Sequence, residues 1–236
     1  MTADLRERVA RVQERIASAA RRAGRDPDQV TLVAVCKTVG RAEVDEAYRA
    51  GLRHFGENRV QEARAKFGAD RPEGLTLHLI GTLQTNKAKD AVRLFDIVHS
   101  VDRPAVIEAL AKRAAPLSAG RRVPVLIEVN VAGEESKQGA DPGTVPALVE
   151  QVVACPELEL RGLMTMAPLV ADAEEARPIF RALRELRDDL CRANPTLELP
   201  DLSMGMTNDY PVAVEEGATI VRVGRAIFAE PGGSAD

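Results

Sequence analysis

The sequence predicts an α/β protein, a single (β/α)8 TIM barrel with an extra helix at its amino terminus, and three observations carry that expectation. Short apolar segments alternate with amphipathic ones through eight units in about 200 residues, the lower size limit of such a barrel. Several apolar segments are continuously hydrophobic, as strands of a parallel sheet covered by helices on both faces must be. No Gly-x-Gly-x-x-Gly turn follows the first strand, which disfavours the competing open, doubly wound sheet.

The elements follow in order. Leu5, Val9, Val12 and Ile16 recur at helical spacing, and Gly24 and Pro27 end that first helix. The predicted strands are residues 31–36, 53–55, 75–80, 97–99, 123–131, 158–163, 201–203 and 219–223. Amphipathic segments at 41–50, 58–67, 85–94, 103–115, 144–154, 173–192 and 209–216 lie between them as helices. No linker or low-complexity segment divides the chain, so residues 1–230 are expected to form one domain and 231–236 a disordered tail.

With 236 residues, 45% of them hydrophobic, the chain is long enough for one large core. No apolar stretch reaches the roughly 20 residues that cross a bilayer, and the charged, helical amino terminus does not resemble a signal peptide. A cytoplasmic protein is expected. Cys36, Cys155 and Cys191 show no Cys-x-x-Cys spacing, which points to reduced thiols rather than a disulfide framework or a zinc site. The 32 basic residues are interleaved with 36 acidic ones, and five Phe, two Tyr and no Trp leave little for base stacking. Nucleic acid is thereby disfavoured as a ligand.

In a barrel of this kind the polar residues at the carboxyl ends of the strands converge on one mouth, where the active site is built. Here they are Lys37, Asn58, Asn86, His99, Asn130, Thr165, Ser203 and Arg222. Lys37 ends the apolar run from Val30 to Cys36, so a desolvated, reactive amine is expected there; the plainer alternative is a solvated or ion-paired lysine. The rule also places a phosphate site after strands seven and eight, where the chain reads Ser203-Met204-Gly205-Met206 and Arg222-Val223-Gly224-Arg225-Ala226. Glycine lets backbone N–H groups approach phosphate oxygens, and a helix opening near Gly224 adds its positive end. Asn58 alone reads first as a helix N-cap, and the plainer alternative for Arg222 is an ion pair with Glu57 or Asp209. His54, His78 and His99 lack ligand spacing, so no metal site is expected. Tyr210 can serve the mouth or the packing at its rim, and Lys137 reads as a solvated charge or a second amine.

The strings Ala34-Val35-Cys36-Lys37-Thr38, Phe55-Gly56-Glu57-Asn58-Arg59, Ile80-Gly81-Thr82-Leu83-Gln84-Thr85-Asn86-Lys87 and Val129-Asn130-Val131 carry a resemblance. So do Gly133-Glu134-Glu135-Ser136-Lys137, Gly162-Leu163-Met164-Thr165-Met166, Leu202-Ser203-Met204-Gly205-Met206 and Val221-Arg222-Val223-Gly224-Arg225-Ala226-Ile227-Phe228. In this order they resemble the pyridoxal-phosphate homeostasis protein family, a single-domain relative of the alanine racemase amino-terminal barrel. The resemblance implies pyridoxal 5'-phosphate (PLP) held by Lys37 as an internal aldimine. It implies Ser203, Gly224 and Arg225 in the phosphate-binding segments, Arg222 facing the pyridine nitrogen, and Asn58 beside the ring. Cys36 stands where serine is common in the family, and Ala229 where glycine is.

A guanidinium facing the pyridine nitrogen would discourage its protonation and leave a poor electron sink. The function implied is therefore PLP binding and homeostasis rather than catalysis, with apo enzymes or amino acids as recipients and a monomer or weak dimer as the assembly. The rival is a PLP-dependent racemase or decarboxylase, for which a second, site-closing domain is expected and no residues remain. From the residues alone a cofactor-free Schiff-base aldolase also stays open.

Overall fold

The computed structural model describes residues 4–117, 122–134 and 138–229, so Lys137 and the 231–236 tail fall outside the described residues. Eight parallel strands close into a barrel in sequence order: β1 Thr31–Val35, β2 His54–Glu57, β3 Thr76–Leu79, β4 Ile97–Val101, β5 Val123–Glu128, β6 Leu158–Met164, β7 Asp201–Ser203 and β8 Ile220–Val223. Closure is made by β1 against β8, with Leu32 beside Val221 and Ala34 beside Val223.

The helices are α1 Leu5–Arg22, α2 Arg41–Arg49, α3 Val60–Phe67, α4 Ala88–Leu94, α5 Pro104–Ala114, α6 Val145–Val153, α7 Arg177–Ala193, α8 Tyr210–Glu215 and α9 Arg225–Phe228. Proline marks the first turn of α5, α6, α7 and α8, where its missing N–H costs nothing. The predicted helix 173–192 begins as a 3-10 turn, Ala173–Ala176, held by a reciprocal Asp172 and Glu175 cap before α7 takes over at Arg177. The predicted strand 123–131 stops at Glu128, and Val129 continues only as a bridge to Ala140.

The amino-terminal helix is placed by its apolar stripe, with Leu5, Val9, Val12, Ile16, Ala19 and Ala20 all buried. It packs against α8, α9 and α2, over the seam where β8 meets β1. The helix that follows β8 has only four residues, so α1 supplies the cover that a full eighth helix would give. Among the described residues no helix is long and apolar enough to cross a membrane.

Candidate functional site

The carboxyl ends of the strands open onto a cavity of about 1240 Å³ whose wall includes Lys37, Asn58, Glu128, Arg222, Gly224 and Arg225. Of the eight residues expected at the mouth, Lys37, Asn58 and Arg222 line it. His99, Thr165 and Ser203 are buried. Asn130 donates to the Glu134 carbonyl, and Asn86 sits in a 3-10 turn.

Lys37 follows Cys36 directly beyond β1 and is exposed at the mouth, so the desolvation expected of its amine is not found. The apolar run ends one residue too early to bury it. Its base is rigid: Cys36 N–H donates to the Gly56 carbonyl at 3.0 Å, and the Cys36 carbonyl accepts from Lys66 Nζ at 2.6 Å. Lys66 also pairs with the fully buried Glu57 at 2.5 Å, and the Cys36 thiol donates to the same carboxylate oxygen at 3.2 Å. Burial first, then the charge of Glu57, pushes the Cys36 thiol well above its ordinary range, which makes it a neutral donor behind the lysine.

Arg222 reaches the cavity from β8 and is 3% exposed. Its Nη1 donates to Ser203 Oγ at 2.6 Å and its Nη2 to the Thr165 carbonyl at 2.9 Å. Burial lowers its pKa to about 10, against the opposing pull of Glu128 and Asp209, so it stays cationic at neutral pH. The ion pair weighed with Glu57 does not form, because Glu57 is committed to Lys66 and Cys36. Asp209 instead accepts the Met206 N–H at 2.6 Å and acts on Arg222 only through its charge.

Ser203 and Gly205, expected on the phosphate side, sit behind the wall rather than on it. The Ser203 hydroxyl is buried between Arg222 and His99. Gly205 has φ +93°, and a Cβ there would lie 2.6 Å from Ala213 Cβ, so this glycine seats the turn on α8. The wall on that side is made by Met206, Thr207, Asn208 and Asp209. Gly224 and Arg225 do line it, and Arg225 donates to Asn208 at 3.5 Å, joining the two loops.

Asn58 is half-buried on the wall, and α3 begins at Val60 with Arg59 in the cap position, so Asn58 is not an N-cap. Its backbone packs so closely on Gly81 that a Cβ there would lie 2.3 Å from the Asn58 carbonyl oxygen. Tyr210 belongs to the rim packing: it is fully buried beneath the Arg15 guanidinium of α1.

Glu128 is one of the wall residues that reasoning from sequence missed, along with Thr207 and Asn208. It is buried, and its pKa is pushed up to about 7 by burial and then by Asp102, with Arg222 pulling the other way. The signal was present, since Glu128 ends the apolar strand β5 as Lys37 follows β1. Among the described residues no group of three or more His, Cys, Asp or Glu is arranged to hold a metal.

Comparison with known proteins agrees with this geometry. Residues 8–231 match the family model of the alanine racemase N-terminal domain. The chain is 45% identical over 224 residues to the pyridoxal phosphate homeostasis protein of Aquifex aeolicus, covering 95% of this chain and 97% of that one. Its identity to the protein of the same name from Pseudomonas aeruginosa is 45% over 228 residues, 94% of each. The structure of PipY from Synechococcus elongatus with PLP bound matches at a TM-score of 0.83 and 41% identity, over 96% of this chain and 100% of that one. With the closed barrel and near full-length identity in agreement, the chain belongs to the pyridoxal phosphate homeostasis protein family, within the wider family of the alanine racemase N-terminal domain.

Proposed function

We propose that the protein binds PLP in this cavity, covalently through Lys37, and works in the cytoplasm as a carrier that sequesters the reactive aldehyde until an apo enzyme or an amino acid takes it. The observation that carries the reading is one cavity that presents a reachable primary amine, a buried guanidinium and a polar, glycine-containing pair of loops. The donor set fits such a ligand. The Lys37 amine is open to an incoming carbonyl, and Lys66 and Glu57 fix the backbone beneath it. Arg222 has no proton-accepting atom and keeps its charge at neutral pH, so it disfavours protonation of a ring nitrogen that faces it. Gly224, Arg225, Thr207 and Asn208 would hold the phosphate, and Asn58 would flank the ring. Ser203 supports Arg222 from behind and is not assigned to the phosphate. When bound, PLP supplies an aldehyde that condenses reversibly with amines and a ring that can draw electrons from what it carries.

The relatives named above are homeostasis proteins, which favours a carrier. Glu128 favours a second reading, a racemase or decarboxylase, because an acid that holds its proton to about pH 7 on the cavity wall can exchange one with a ligand. Borohydride treatment of the PLP-loaded protein is expected to leave a reduced adduct on Lys37 by peptide mass analysis. A colourless protein that cannot be loaded would defeat the cofactor reading. Prolonged incubation with single amino acids should show no turnover, and repeated turnovers to the mirror form or to an amine would establish the enzyme instead.

A further inference from the structure

Beneath the cavity a line of polar side chains crosses the barrel interior, where packed apolar layers are the rule. His54 opens β2, His78 lies in β3 and His99 in β4. The register places His54 beside Thr76 and His78 beside Ile97, so each imidazole stands two residues nearer the mouth than the one before. His54 Nδ1 lies 3.0 Å from His78 Nε2, and His78 Nδ1 lies 2.8 Å from His99 Nε2. His99 Nδ1 then lies 2.9 Å from Ser203 Oγ, the atom that accepts from Arg222 at 2.6 Å.

One polarity satisfies every atom in this line. A guanidinium only donates, so Ser203 Oγ accepts from Arg222 and donates its O–H in a hydrogen bond to His99 Nδ1. The reverse arrangement would leave a fully buried hydroxyl proton without an acceptor. His99 therefore carries its proton on Nε2 and donates to His78 Nδ1, and His78 donates in the same sense to His54. Charged imidazoles would break the sequence. Burial above all, then the neighbouring imidazole and nearby Arg71 or Arg222, keeps His78 neutral to about pH 3 and holds His99 well below its ordinary range. Burial lowers His54 as well, against the pull of Asp96.

We infer that His99, His78 and His54 are positioning residues: through Ser203 they hold Arg222 as a fixed, donor-only cation met by neutral acceptors instead of a carboxylate. The imidazole N–H bonds all point away from the guanidinium, so each bond in the row polarises the next in the sense that favours the cation. The cavity thereby keeps a fixed positive charge deep in its wall, within the field of Glu128 and Asp209 but hydrogen-bonded to Ser203 and Thr165 instead. Only the final step, that this charge faces a ring nitrogen, rests on the cofactor reading above.

Histidine-selective 15N NMR of the protein without cofactor tests the arrangement directly, because the chain has three histidines and all three are in the line. At about pH 8 all three should be neutral with the proton on Nε2, and His78 and His99 should remain so as the pH falls through the ordinary imidazole range. A proton on Nδ1 of His78 or His99, or a cationic His99, would overturn the inference. His99→Phe removes the Ser203 acceptor, and the guanidinium protons of Arg222 should then exchange on the order of tenfold faster, with PLP binding weakened by a similar factor. His99→Gln, which keeps an acceptor and a donor, should restore much of both. Unchanged Arg222 exchange in His99→Phe refutes the positioning role. If that variant does not fold, the wild-type tautomers still decide. A wild type that never takes up PLP defeats the cofactor reading alone, since the tautomers are measured without it.

Discussion

Glu128 shows how a residue can be decided by the charge it does not carry. Its carboxyl is buried on the cavity wall, with pKa about 7 against an ordinary 4.5. The folded protein thus holds this proton more tightly than the unfolded chain. The resulting stabilisation is complete below about pH 4.5 and is lost as pH rises through 7, where ionising a buried acid costs roughly 3 kcal/mol at about 1.4 per pKa unit. Glu128→Gln keeps the shape and removes the titration. Urea denaturation should find the variant gaining on the wild type by about 2–3 kcal/mol between pH 5 and 8. A stability difference that stays level across that range would show that Glu128 ionises freely in the fold.

The strands are where sequence and structure agree most closely, and the reason is their chemistry. A strand buried on both faces must be continuously apolar, which made Thr31–Val35 and Val123–Glu128 visible. The line of Lys37, Asn58 and Arg222 at the strand ends was legible because the barrel rule converts chain position into a mouth. Side-chain depth was not legible: Ser203 and Gly205 carry the same barrel-rule signal as Gly224, yet the first points inward to Arg222 and the second packs on α8. Nor did spacing reveal the histidine line, since its members meet across strands and not along one. Gly162 makes the strand-level constraint measurable. A Cβ there would lie 1.8 Å from the Asp201 carbonyl oxygen, where β6 meets β7. Backbone cannot rotate aside as a side chain would, so Gly162→Ala should cost at least about 2 kcal/mol in a urea titration. A loss under half a kcal/mol would mean that the β6–β7 pair tolerates being pried apart.

At the scale of the whole molecule, closure of the barrel depends on the two ends of the chain meeting. The strands close when β8 pairs with β1, but α9 is too short to cover that seam, and α1 covers it from the other terminus. Polar contacts fix the helix in place: Arg8 Nε donates to the Ile227 carbonyl at 2.8 Å, Arg22 pairs with Glu215 at 2.7 Å, and Arg25 Nη1 donates to the carbonyls of Val214 and Ala218. The apolar stripe supplies most of the energy. Burying Leu5, Val9, Val12 and Ile16 amounts to roughly 6–12 kcal/mol at about 1.5–3 each, as large as the net stability of an ordinary domain. A helix merely appended to a finished barrel could melt by itself, whereas one that completes the wall must unfold with it. Ile16→Ala, which opens a cavity in the α1 stripe, is therefore expected to destabilise the entire protein by about 2–5 kcal/mol. The shift should be identical when followed by far-ultraviolet circular dichroism and by the NMR signals of His78 and His99 at the barrel centre. If the helix signal shifts while the barrel-centre signals keep the wild-type midpoint, α1 is an accessory, and the seam between β8 and β1 is held by its backbone ladder alone.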